Sequence, residues 1–169
     1  VAGDLVDGLF FATTTSPYKE RQCSSIIAMP LDLRRDIRTA DINTSPRAGT
    51  IALALAFDTV KAGSANSVLV TAADLRLGAP AGMGEQQFGD GAGALLMGKD
   101  NVIAEVLGIY SVSDELAATW RSDEDKFVRS GEDRFVQDEG YSKSVPEAMQ
   151  GVLKKCGLTA KDITKVVLD

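Results

Sequence analysis

Phe88-Gly89-Asp90-Gly91-Ala92-Gly93-Ala94-Leu95-Leu96-Met97-Gly98 decides how the rest of this 169-residue chain is read. Glycine takes every second position from 89 to 93, with only Asp90 and Ala92 between. Such spacing permits positive φ and lets a ligand or a second backbone come close. The stretch is expected to form a glycine-crowded turn, with Asp90 bonded to backbone N–H groups in it, feeding a buried strand over 93–97. A tight crossing of two strands would use the same glycines. On these residues alone both readings stand.

Working outward, Ser67–Ala73 is a continuous apolar run, as in a parallel strand covered on both sides. Before it, Arg47–Ala62 reads as a helix apolar on nearly every face, with Gly63 as its C-terminal cap. Ile37–Asn43 and Gly8–Thr13 read as strands, and Glu20–Met29 as a short helix ended by Pro30. Downstream, Val102–Val112 is expected to be a further strand. Ser144-Val-Pro-Glu147 has the form of a capping box opening a helix. Val145, Ala148, Met149, Val152, Leu153 and Cys156 then share its apolar face, and Gly157 stops it. Val166–Asp169 begins what reads as another buried strand, so the chain is expected to be part of something larger. Alternating strands and buried helices predict an α/β layered fold with a mainly parallel sheet.

Composition narrows the function classes. Hydrophobic content of 44% with 25% charged residues is that of an ordinary globular protein. A net charge of −6 argues against a nucleic-acid or anionic-membrane surface, and no apolar run approaches a bilayer span. Between Asp114 and Tyr141 nine acids face four bases, so this window is expected to be a solvated acidic excursion. Two cysteines, Cys23 and Cys156, are too few for a disulfide scaffold, and a reduced cytoplasmic setting is expected. The sequence holds no histidine, which excludes a Ser-His-Asp triad, a Cys-His pair and a His-containing zinc site within these residues. Gly89–Gly93 lacks the spacing of a dinucleotide fingerprint and precedes a strand rather than a helix.

Chemistry in such folds gathers where a strand's carboxyl end meets a helix amino end, because free N–H groups and the helix dipole favour negative charge there. The candidate corner is Asp41-Ile-Asn-Thr-Ser-Pro-Arg-Ala-Gly-Thr50. From this corner outward the sequence resembles the thiolase-fold condensing enzymes, on the branch of 3-hydroxy-3-methylglutaryl-CoA synthase and ketoacyl synthase III. Val6–Tyr18 is similar to that family's early strand and loop, and Arg47-Ala-Gly-Thr50 to the start of its nucleophile helix. Ser67–Asp74 is similar to the next core strand, and Phe88–Ala94 to the glycine-rich signature. Trp120-Arg121 and Arg134-Phe135 resemble the region before the second-half helix.

The resemblance implies two similar halves around a five-layered core. Residues 1–169 would then form a single thiolase-like domain, the later part of the first half plus the opening of the second. It also implies an acyl-CoA or acyl-carrier ligand, no permanently bound cofactor, and a dimer through the edge of the core sheet or pairing with a thiolase-fold partner. In the family a cysteine immediately precedes the Lys/Arg-Ala-Gly-Thr helix start and attacks a thioester. Here that place is Pro46, and Thr13–Thr15 lie where an early acid/base glutamate is expected. The family's histidine-bearing loop would follow Asp169.

Two readings follow. One is a noncatalytic acyl-CoA-binding or partner subunit. The other is a condensing acyltransferase whose missing groups come from elsewhere. Ser45 or Thr44 would need an adjacent base to act as nucleophile. The simpler reading has Ser45 capping the helix and Pro46 at its first position. Substrate-binding candidates are Arg47, Gly89, Asp90, Gly91, Trp120 and Arg121, the last two as a stacking and ion-pairing clamp for coenzyme A. No metal site is expected.

Overall fold

Strand β1 (Gly8–Ala12) is buried at all five positions, and the first half of the chain is built round it. The computed structural model describes residues 3–43 and 45–168, which fall into two compact units divided after residue 104. In the first unit β1 lies between two parallel neighbours, β2 (Arg38–Ile42) and β3 (Ser67–Leu75). A short helix, α3 (Met83–Gln87), precedes strand β4 (Asp90–Gly98), which closes that sheet antiparallel to β3, giving the order β2-β1-β3-β4.

Strand alternation sends side chains to two faces. Phe10, Ala12, Ala40, Ile42, Val68, Val70 and Ala72 face helix α2 (Ala48–Lys61), which meets them with Ala48, Ala52, Ala56 and Val60. These four recur every fourth residue, and the three alanines let the helix lie close on the sheet. Leu9, Phe11, Leu69 and Ala73 point the other way, toward helix α1 (Cys23–Ala28) and its Cys23 and Ile27. The first unit is therefore the layered α/β arrangement, with a mainly parallel mixed sheet between helices. Because Ala52 is fully buried against this sheet, Ala52→Leu should overpack the interface and cost about 1–3 kcal/mol, read by urea denaturation.

Several sequence expectations are corrected. The glycine-rich stretch is not a turn: Gly91 and Gly93 lie inside β4, and Asp90 is that strand's first residue, opposite Leu75. Nor is the strand buried, being exposed from Asp90 to Leu96 because it lies at the edge of the sheet. Glycine hides a strand from periodicity because it has no side chain to alternate. β3 has a parallel neighbour on one side and an antiparallel one on the other, and only Val68 and Val70 in it are buried. α2 is buried along one stripe, and Leu55 on another face is 46% exposed. α2 begins at Ala48, with Arg47 as its cap residue and Pro46 in the preceding turn, so Pro46 does not hold the first helical position. Its far end is as expected, with Gly63 at φ 72 just past the last turn. α1 starts three residues later than expected, at Cys23.

The second unit opens with residues 105–118 in no regular structure, so the strand expected over Val102–Val112 does not form, and Ile103 is fully exposed. A two-stranded hairpin follows, β5 (Thr119–Trp120) against β6 (Arg129–Ser130). Its connecting loop is tied by Asp125, which accepts from Ser122 N–H and hydroxyl and from Arg129. These bonds, the Ser122 hydroxyl first, hold the Asp125 carboxyl down at about 2. Helix α4 (Asp133–Phe135) is capped by Glu132, whose side chain accepts from Arg134 and Phe135 N–H. It runs through a π-helical turn (Val136–Tyr141) into α5 (Ser142–Cys156).

The capping box expected at Ser144–Glu147 is thus inside a helix, where Ser144 donates instead to Asp114 at 3.1 Å. A capping box does form, at Thr159 and Asp162. Gly157 ends α5 in the left-handed region, as expected. Val166–Leu168 are exposed and form no strand, and Asp169 is outside the described residues.

Candidate functional site

The three parallel strands end on the same side, and the residues following them come together there. After β2 the chain turns through Ser45-Pro46-Arg47 into α2. After β1 come Thr13, Thr14 and Thr15, and Thr13 N–H donates to the carbonyl of Ile42, the last residue of β2, at 3.0 Å. β3 reaches the same end with Asp74.

Asp74 gathers the threonines. Its Oδ1 accepts from Thr13 Oγ1 at 3.0 Å, Thr14 N at 2.6 Å, Thr14 Oγ1 at 3.0 Å and Thr15 Oγ1 at 2.9 Å. Thr15 Oγ1 in turn accepts from Leu75 N–H at 3.0 Å. Partial burial pushes the Asp74 carboxyl up, but the Thr14 N–H and the three hydroxyls outweigh it and hold the group below the usual carboxylate range. Three adjacent threonines at a strand end, facing an aspartate at the end of an apolar run, were the sequence signal for this cluster. In the sequence they mark only the place where the resemblance expects a glutamate.

The glycines complete the floor. Asp74 lies opposite Gly91, and Ala72 opposite Gly93, so all four share the α2 face of the sheet. A Cβ built on Gly91 or Gly93 would meet nothing within 4 Å, and the two glycines line a shallow depression with Ala72, Ala73, Asp74 and Ala92. Of the two sequence readings, tight strand crossing is not what these glycines serve here. They leave backbone bare on an open surface. β4 lies three strand spacings from β2, roughly 14 Å.

The corner itself is simple. Ser45 Oγ accepts from Arg47 N–H at 3.3 Å, and Ser45 carbonyl accepts from Ala48 N–H at 2.9 Å. Ser45 therefore organises the turn two residues before the observed cap residue, Arg47, and does not itself cap the helix. Pro46 and Arg47 are exposed. Thr44 lies outside the described residues. Gly89 sits just ahead of β4. Trp120 and Arg121 belong to the second unit, Trp120 ending β5 and 44% exposed.

Cys23, the one thiol of the first unit, does not stand at the α2 corner in the way a nucleophile would. Cys23 is buried on the α1 face, the opposite side of the sheet from α2, against Leu9 and Phe11. Asp41 fixes it there, its carboxylate accepting from Cys23 N–H at 2.5 Å and Ser24 N–H at 2.8 Å. This cap on α1 was not legible in the sequence, where Asp41 read only as part of the α2 corner. Cys156 belongs to the last turn of α5 in the second unit. Cys23 should therefore resist an aqueous thiol reagent in the folded protein and label only on unfolding, as thiol titration with and without denaturant would show.

Among the described residues no group of three or more metal-ligating side chains occurs, and no helix is long and apolar enough to cross a membrane.

No protein-family model matches the sequence. The chain is 29% identical over 157 residues to the hydroxymethylglutaryl-CoA synthase of Methanocaldococcus jannaschii, covering 93% of this chain and 45% of that protein. Among solved structures, an HMG-CoA synthase complexed with CoA matches with a TM-score of 0.83 at 18% identity, over 96% of this chain and 42% of that one. The 3-oxoacyl-(acyl carrier protein) synthase III of Pseudomonas aeruginosa matches with a TM-score of 0.80 at 22% identity, over 94% and 52%. The chain spans about half the length of the curated relatives it matches. By sequence and fold together it is similar to the thiolase-fold condensing enzymes, on the hydroxymethylglutaryl-CoA synthase and ketoacyl synthase III branch.

Proposed function

We propose that this chain is a noncatalytic thiolase-fold protein that binds an acyl-CoA or pairs with an active thiolase-fold partner in the cytoplasm. The observation that carries this reading is the α2 corner. Pro46 stands where the resemblance would put the branch's cysteine, and Cys23, the one thiol of the first unit, is buried across the sheet. Proline has neither a nucleophilic atom nor an N–H. A hydroxyl at Ser45 has no imidazole in this chain to take its proton.

The ligand proposed is a coenzyme A thioester, in keeping with the relative complexed with CoA. In the first unit the candidate groups for it are Arg47 at the start of α2, with Gly89, Asp90 and Gly91 beside Asp74. Trp120 and Arg121 would stack on the adenine and pair with the phosphates. Such a ligand prefers the folded state and stabilises it by mass action, about 2.7 kcal/mol at a hundredfold excess over Kd. Thermal unfolding with millimolar coenzyme A should show a higher Tm for the wild-type protein and none of that rise for Arg121→Ala. No rise with either protein would end the acyl-CoA part of the reading.

A dimer through the exposed β4 edge belongs to the same proposal. Leu95 and Leu96 there are 55% and 43% exposed, and among the described residues no strand pairs with the outer edge of β4. Sedimentation should find the chain other than monomeric.

The second reading is an acyltransferase with catalytic groups supplied elsewhere. The clamped Asp74 beside a bare glycine floor favours it, since an ordered carboxylate next to open backbone is what a reacting ligand would need. A covalent acyl adduct would decide for this alternative.

A further inference from the structure

The π-helical turn of the second unit is placed between the two roots of the β5–β6 hairpin. Its hallmark is a bond from Ser142 N–H to the carbonyl of Gln137, five residues back rather than four. On the C-terminal side of this turn the strap 114–118 lies along the helix. Asp114 accepts from Ser144, and Leu116 lies against Gly140, where any Cβ would collide with the leucine's Cδ2. Gly140 is the one buried residue of the turn. The strap leads straight into β5 and its Trp120. On the N-terminal side, β6 leads through Gly131 to Glu132, the cap of α4. The two roots are joined, Gly131 N–H donating to the Ala118 carbonyl at 2.9 Å, and Gly131 has no room for a side chain beside the Ala117 carbonyl.

One root of the hairpin is thus fixed at residues 140 and 144 and the other at 131–132, with the wide turn between them. A π turn holds one residue more than the α-helix would over the same length. Were residues 136–141 to take the α register, everything before them would shift by about 1.5 Å along the axis and rotate by about 100°. The Ala118–Gly131 bond does not survive such a shift.

We propose that the wide turn and the hairpin form one two-state element: helix in the π register with the hairpin closed, or helix in the α register with its roots parted. Leu116 on Gly140 is the latch, and Trp120 with Arg121 is the part that moves. A planar or anionic ligand held by those two side chains would thereby select a helix register. The coupling is a property of the free protein and does not depend on the acyl-CoA reading. If the ligand is a coenzyme A thioester, the element regulates that site.

Trp120 is the chain's single tryptophan, so its fluorescence reports the hairpin directly. Leu116→Ala in the full chain should red-shift Trp120 emission and raise amide exchange over 118–131 about tenfold, with exchange in 145–153 of α5 unchanged. Deleting Gln137, an exposed residue of the turn, removes the extra residue while leaving both roots where they are. In the Leu116→Ala background this deletion should restore the wild-type emission and exchange. The proposal is overturned if Leu116→Ala leaves Trp120 unchanged, if exchange rises equally through α5, or if the deletion fails to restore the hairpin. Ser144→Ala, which removes the bond to Asp114 without emptying packed space, should move Trp120 emission in the same direction by a smaller amount. Coenzyme A titration of the same variants reads the ligand separately, so absence of binding with the coupling intact would count against the acyl-CoA reading alone.

Discussion

Pro46→Cys should turn a protein that acetyl-CoA does not modify into one that accepts an acetyl group at position 46. The residue stands in the exposed turn directly before α2, a fourteen-residue helix whose axis runs away from the sheet's carboxyl end. Free N–H groups at a helix start stabilise a thiolate and lower a cysteine's pKa, which raises the reactive fraction at neutral pH. Pro46 contributes no N–H to any bond, so its replacement breaks none. Intact mass after incubation with acetyl-CoA should show one acetyl group on the variant and none on wild type. Transfer onward to a second substrate is not expected, because no imidazole is present to assist it. A variant that stays unmodified while still binding coenzyme A would mean that the corner is not the reacting end of the site.

The second large effect concerns Asp74. Asp74→Ala removes the acceptor of four bonds and leaves Thr13, a residue only 2% exposed, with a hydroxyl still inside. Bonds to a charged group contribute about 1.5–3 kcal/mol each at most and are not additive, so a loss of about 2–4 kcal/mol is expected. Thermal unfolding should show it as a Tm lower by roughly 5 °C or more.

The pH dependence has a definite sign. The folded-state pKa of Asp74 lies below its unfolded value, so the stabilisation is present above the unfolded pKa and is lost as pH falls through the folded one. Wild type should lose stability on acidification below about pH 4. Asp74→Ala should lose less over the same range. Equal acid sensitivity in the two proteins would assign the effect to other carboxylates, such as Asp7. That group is lowered by Asn66 N–H, against partial burial, and further by Ser67 N–H and the Arg34 guanidinium.

The core of the first unit was legible because its signals are local and redundant. β1 and β3 are apolar runs, and α2 carries small and apolar residues at four-residue spacing closed by a glycine with positive φ. Where signals were missed, the information lay in a partner. Val102–Val112 has the composition of a strand, but a strand is made by lateral pairing with another, and in the structure these residues take no strand conformation. Gly91 and Gly93 carried no periodicity to read, and only the register with Asp74 and Ala72 shows which face they open.

The candidate site was half visible. Its corner and glycines follow from order along the chain, but the Thr13–Thr15 clamp on Asp74 joins residues about sixty positions apart. Asp41 was assigned to the wrong helix because side-chain direction in a five-residue strand is set by register, and its neighbours Ala40 and Ile42 turn toward α2 while it turns toward α1. The Ser144–Glu147 motif was misread for a related reason. A capping sequence acts only where a helix begins, and Glu132 begins this one twelve residues earlier.

The most direct measurement is the mass of the unmodified chain after incubation with radiolabelled acetyl-CoA. On the proposed reading, in which Pro46 stands where the resemblance puts the nucleophile, the chain should come through with label uptake at background and its mass unaltered. Acetyl bound covalently to Ser45, to Thr44 or to either thiol would contradict the account.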